Sequence, residues 1–128
     1  MKPGREILFL SFSRAAVKQV LTRCKTILSR DERRLIEVQT YHSFCLEALR
    51  THARLLNGQP ARIAYPDKER IERAEFEGDW PGELARRARE SGIFAFDQFA
   101  GATAEIVEGC TAVRELLGRK YPMIIVDE

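Results

Sequence analysis

An apolar run that ends abruptly in two adjacent carboxylates, Ile124-Ile125-Val126-Asp127-Glu128, restricts the fold of this chain more than any other stretch. It predicts a fully buried strand of a parallel sheet, because strands covered on both faces lose their polar alternation. In open α/β sheets ligands gather outside the carboxyl ends of the strands, so two acids at such an edge point to nucleotide and metal chemistry. With no sequence after those acids, the chain reads as a piece of a larger machine.

A parallel strand needs neighbours, and the first half of the chain offers two. Pro3-Gly4 punctuates the start of Ile7-Leu8-Phe9-Leu10, which gives way to Ser11-Phe12-Ser13 as a buried strand leaving its core. Ala16, Val17, Val20, Leu21, Cys24, Ile27 and Leu28 then recur at three and four, which predicts a helix with one buried face and with Lys18, Arg23 and Lys25 on the wet side. A charged turn, Arg30 to Arg34, leads to a second strand, Ile36-Glu37-Val38-Gln39-Thr40. Ser43 is placed to cap a helix running to about Ala53.

The texture changes at Leu56-Asn57-Gly58-Gln59-Pro60, after which charged helical stretches dominate: 67–77, and 81 to about 90, joined by the turn Gly78-Asp79-Trp80-Pro81. From Phe96 to Gly118 the pattern is helical again, with a break near Gly109-Cys110, and Pro122 ends it before the last strand. The expected organisation is α/β: residues 1–54 as a sheet portion, 55–95 as an α-helical insertion, and 96–128 as return helices and the closing strand, with right-handed crossovers bringing the strands side by side.

Composition excludes several classes of protein. At 128 residues, 45% hydrophobic and 31% charged, the chain can bury a core and is not a disordered tail. The net charge of +2 is too small to demand a nucleic-acid partner and does not exclude a local basic face. Cys24, Cys45 and Cys110 are odd in number and far apart, which fits neither a disulfide framework nor a zinc site and suits the reducing cytoplasm. The N-terminal apolar run is too short to span a bilayer and lacks a cleavage signal, so no membrane partner is expected.

At a strand's carboxyl edge, a first acid can hold Mg²⁺ and a second can deprotonate an attacking water. The plainer alternative is a solvated loop start. Context favours chemistry, because Ser11-Phe12-Ser13-Arg14 and Thr40-Tyr41-His42-Ser43 fall on the same edge if the strands are parallel. Hydroxyls and helix N-termini hold phosphates and an aromatic ring stacks on bases, the equipment of a single-strand binder. In that order, Leu10-Ser11-Phe12-Ser13-Arg14-Ala15-Ala16, Thr40-Tyr41-His42-Ser43-Phe44 and Ile124-Ile125-Val126-Asp127-Glu128 resemble motifs Ia, Ib and II of UvrD/Rep-type superfamily 1 DNA helicases. Phe96-Asp97-Gln98-Phe99 is similar to a segment such helicases carry before motif II, and residues 55–92 stand where the family has a helical insertion.

The resemblance implies part of a RecA-like sheet of the P-loop NTPase type, in a protein that translocates on single-stranded DNA by hydrolysing ATP. By position, Ser11, Phe12 and Ser13 would contact the strand, with Phe12 near the bases, and Thr40 and His42 would approach phosphates. Asp127 would be the Mg²⁺ ligand and Glu128 the general base. The family commonly has Thr-Phe-Thr-Asn-Lys-Ala-Ala at motif Ia, so Arg14 and Ala15 depart from it, although Arg14 can itself reach a phosphate. A P-loop needs Gly-x-x-x-x-Gly-Lys-[Ser/Thr], and no Gly-Lys pair occurs in these 128 residues. ATP and Mg²⁺ are therefore expected to serve the parent helicase, with this chain inactive alone, and its bare sheet edges are expected to favour self-association. The alternative function is a non-enzymatic module that binds nucleic acid or protein. A metal-dependent nuclease is more distant, since no third acid has suitable spacing.

Other residues take plainer readings. Arg86, Arg87 and Arg89, interleaved with Glu83 and Glu90, are expected to form a salt-laced solvent face rather than a phosphate track. Trp80 is expected to pin its turn, His52 to be solvated, and Cys45 and Cys110 to be small core residues.

Overall fold

A computed structural model describes residues 6–127 and places them in two compact units, residues 6–44 with 110–127, and residues 45–109. The first unit holds a parallel sheet of β1 (Ile7–Ser11), β2 (Ile36–Thr40) and β5 (Met123–Asp127) in the order β2-β1-β5. Its central strand is the most buried: Leu8 is fully covered and Leu10 nearly so. Leu8 and Leu10 point to one face, where they form a core with Tyr121, flanked by Tyr41, Phe44 and Leu117. The hydroxyl of Tyr121 donates to the Glu37 carboxylate on the same face, so the one acid of β2 is satisfied rather than left bare.

Helix α1 (Arg14–Ile27) follows β1 and lies against β2 and β1. Its apolar stripe forms as predicted, but none of its residues is fully buried and Leu21 and Ile27 are exposed. The short helix α2 (Arg30–Arg33) starts at a capping box in which Ser29 and Glu32 satisfy each other's backbone N–H. Helix α3 (Tyr41–His52) begins directly after β2, three residues earlier than expected, because Thr40 rather than Ser43 caps it: the Ser43 N–H donates to Thr40 Oγ1 (3.1 Å).

The closing strand corrects an expectation. Met123, Ile124, Ile125 and Val126 are not buried but 42–54% exposed. The physical reason is coverage: β5 pairs with β1 alone among the described residues, while α1 leans over β1 and β2. Composition reports what a strand could bury, and neighbours decide what it does bury.

In the second unit α4 (Arg54–Asn57), β3 (Arg62–Ala64), α5 (Pro66–Glu75), α6 (Trp80–Ser91), β4 (Ile93–Ala95) and α7 (Phe99–Gly109) follow one another, and α8 (Thr111–Lys120) then leads back to β5 in the first unit. The middle of the chain is mostly helical as expected, with one addition: β3 and β4 pair in parallel. Gly92 makes that pairing possible. It ends α6 at φ +67°, its carbonyl accepts the Arg62 N–H (2.7 Å), and a Cβ there would meet the Pro60 carbonyl at 2.9 Å. Trp80 is buried and edge-on to Phe76, its indole N–H donates to Glu69 (2.8 Å), and Arg87 lies over its ring. It pins α6 to α5, as the sequence predicts.

A candidate single-strand interface on the sheet edge

Register places the motif residues. Ser11, the last residue of β1, lies directly across from Thr40 on β2 and from Asp127 on β5. Three side chains of one row therefore share one face of the sheet at its carboxyl edge, spanning two strand spacings, about 10 Å between Thr40 and Asp127. Parallel pairing in this register brings three separated segments to one edge, and it depends on β1 lying between the other two.

Each strand then turns into a helix through a hydroxyl. Ser13 is the N-cap of α1, its Oγ accepting the Ala16 N–H (3.2 Å), while the Ser13 N–H reaches Ser11 Oγ (3.4 Å). On the neighbouring strand Thr40 Oγ1 donates to Ser43 Oγ (2.9 Å) besides accepting from the Ser43 N–H. The two helix N-termini thus open beside one another along the edge. Ser11 is buried, whereas Phe12, Ser13, Arg14, His42 and Asp127 are exposed and Thr40 is half-buried.

Tyr41 is the residue that sequence reasoning left out of the site. Its ring stacks on Phe12, with centroids 4.3 Å apart and planes 20° from parallel, and Phe12 is 70% exposed. The signal was present in the pairing: once Ser11 is set against Thr40, the residue that follows each strand is aromatic.

Asp127 supplies a carboxylate at the position expected of a Mg²⁺ ligand. Mg²⁺ is commonly held by one or two carboxylates with substrate phosphates and water, and Asp127 suits that partial role. Among the described residues, which do not include Glu128, no group of three or more acidic, histidine or cysteine side chains is arranged for a metal. Glu128, expected as the general base, lies outside the described residues, as does the Pro3-Gly4 start of the first strand.

Two of the three arginines of α6, Arg86 and Arg87, are committed elsewhere. Arg86 pairs with Glu83 and Glu90, and Arg87 with Glu83 and with Glu72 of α5, so the salt-laced face is the arrangement adopted. Hydrogen bonds from Arg86 first and Arg87 second hold the Glu83 carboxyl down to about 2. Burial pushes the Cys45 thiol up, with a smaller opposing effect of its hydrogen bond with Thr103, and Cys110 is only partly covered. His52 is half-buried rather than fully solvated. No helix among the described residues is long and apolar enough to cross a membrane.

Residues 2–79 match the family model for the UvrD/REP helicase N-terminal domain, well over half of the chain. The match takes in the Ser11–Arg14 and Thr40–Ser43 segments and stops short of β5. Neither a curated protein nor a solved structure matches the chain.

Proposed function

Since the chain belongs to the UvrD/REP helicase family, we propose that its sheet edge is part of the single-stranded DNA track of an ATP-dependent helicase of the RecA-like, P-loop NTPase type. One observation carries this reading: the register that sets Ser11, Thr40 and Asp127 in a row, with two capped helix N-termini and an exposed aromatic ring beside it. Ser13, Thr40, Arg14 and His42 face the phosphates, Phe12 faces the bases, and Asp127 lies at the nucleotide end of the row. In the parent helicase Asp127 would serve Mg²⁺ bound with ATP, and Glu128 the attacking water. This chain, having no Gly-Lys pair to wrap the phosphates, binds single strands without hydrolysing ATP. A cytoplasmic setting accords with three free cysteines.

The test is titration of a labelled oligothymidylate at several salt concentrations. Affinity falls as salt rises, and Arg14→Ala lowers the slope of log affinity against log salt by about 0.7, the value for one phosphate contact on a single strand. Absence of binding at low salt refutes the track. A second reading concerns partners: the exposed apolar β5, open along one flank among the described residues, favours self-association by edge pairing. Light scattering that shows a monomer at high concentration rules it out.

A further inference from the structure

We propose that Tyr41 is a positioning residue for single-stranded nucleic acid: it backs the ring of Phe12 so that the outer face of Phe12 stays open to a base. The inference rests on the reading of this edge as a DNA track and adds to it a residue and a geometry. Phe12 lies between the end of β1 and the cap of α1, so neither a ladder nor a helix fixes its ring. A benzyl group with 70% of its surface in water contributes little to a core. What orients it is the stack on Tyr41, at 4.3 Å and 20°. Tyr41 is anchored in turn: it is half-buried against the cluster of Leu8, Leu10 and Tyr121, and it opens α3 directly after the Thr40 cap.

The result is a graded series, from a buried core through a half-buried ring to an exposed one, and its outermost member offers a flat apolar surface beside hydroxyls and Arg14. A nucleobase stacked there continues the series, and stacking of this kind tolerates any base because each has a π-face. The hydroxyls of Ser13 and Thr40, already spent partly on helix caps, sit on the polar side where the backbone of such a strand would run. A protein ligand would instead need a wider apolar surface than one ring provides.

The experiment uses the full chain and an oligothymidylate carrying one 2-aminopurine, whose fluorescence is quenched on stacking. Phe12→Ala is expected to abolish the quenching and to weaken binding about tenfold. Tyr41→Leu keeps apolar bulk against the core but removes the flat backing, and is expected to reduce the quenching and weaken binding about three- to tenfold. Tyr41→Phe restores what leucine loses. Phe12→Ala with Tyr41→Leu binds no more weakly than Phe12→Ala alone, because Tyr41 acts through Phe12. The salt slope is the same in all of these variants, since no phosphate contact is removed. Circular dichroism melting confirms that each variant is folded.

Tyr41→Leu that quenches like the wild type, or losses that add in the double variant, overturns the proposal while leaving the track reading intact. Wild-type chain that fails to bind the strand at low salt removes the track and this proposal together.

Discussion

Replacing Leu8 by alanine tests whether the central strand, rather than the closing one, holds the sheet edge in place. Leu8 is fully buried between two neighbouring strands and under Tyr121. The substitution deletes three carbons, about 2.4 kcal/mol at about 0.8 kcal/mol for each buried methylene. The cavity left behind raises this toward about 5 kcal/mol. Ile125→Ala deletes the same number of carbons from β5, where Ile125 is already 42% exposed. A little over half of the transfer term remains, about 1.4 kcal/mol, and no closed cavity forms because the position opens to water. Urea unfolding of both variants, followed by far-UV circular dichroism, gives the comparison. Trp80 fluorescence is unsuitable because that residue belongs to the other unit. With a slope of about 1–3 kcal/mol per molar urea, Leu8→Ala lowers the midpoint by about 1–5 M and Ile125→Ala by about 0.3–0.6 of that amount, at unchanged slope. Equal losses would refute the assignment of β5 as an exposed edge and restore the buried strand that its composition predicts.

Further outcomes follow from other contacts. Ser13→Ala removes the N-cap of α1 and costs about 1 kcal/mol, read as a lower melting temperature with the strands retained. A loss indistinguishable from zero would mean that the Ala16 N–H is served as well by water. The Glu83 carboxyl, held down to about 2 by Arg86 and Arg87 against an ordinary 4.5, adds stability that is complete above about pH 4.5 and is lost as pH falls toward 2. Acid titration monitored by circular dichroism sees this loss, and Glu83→Gln flattens it; an unchanged acid limb would contradict the network. Trp80→Phe keeps the contact with Phe76 but drops the bond to Glu69, for a loss of about 1–2 kcal/mol in the 45–109 unit. Hydrogen exchange of the β1 amides is the control, and faster exchange there would contradict the division into two units.

Much of the sheet edge was legible because its signals are local. Ile36 to Thr40 announces a strand by β-branched and apolar residues, and hydroxyls mark where Leu10 and Gln39 give way to helices. Parallel pairing followed from the helices between the strands. What failed was anything that depends on a distant neighbour. Ile124-Ile125-Val126 looks the same whether covered or bare, and only the placement of α1 over β1 and β2 decides. β3 and β4, three residues each, are too short to carry a period and exist through pairing with one another. Thr40 and Ser43 are both competent caps three residues apart, and the one nearer the end of its strand took the role. The Phe12–Tyr41 stack lay hidden for the same reason, since two rings 29 positions apart meet through strand register alone.

That register imposes a rule of spelling on the gene. Side chains alternate up and down along each ribbon, so one codon inserted or lost within Ile7–Ser11 would turn Ser11 over relative to Thr40 and Asp127 and carry Phe12 away from its neighbour. Codons added between Leu28 and Ser29, where α1 has ended and the cap of α2 has not begun, would lengthen only the crossing and leave the alignment whole. Deletion scanning across the first forty codons would therefore trace the reading frame of the edge itself: intolerant where ribbons run abreast, lenient where the chain merely travels between them.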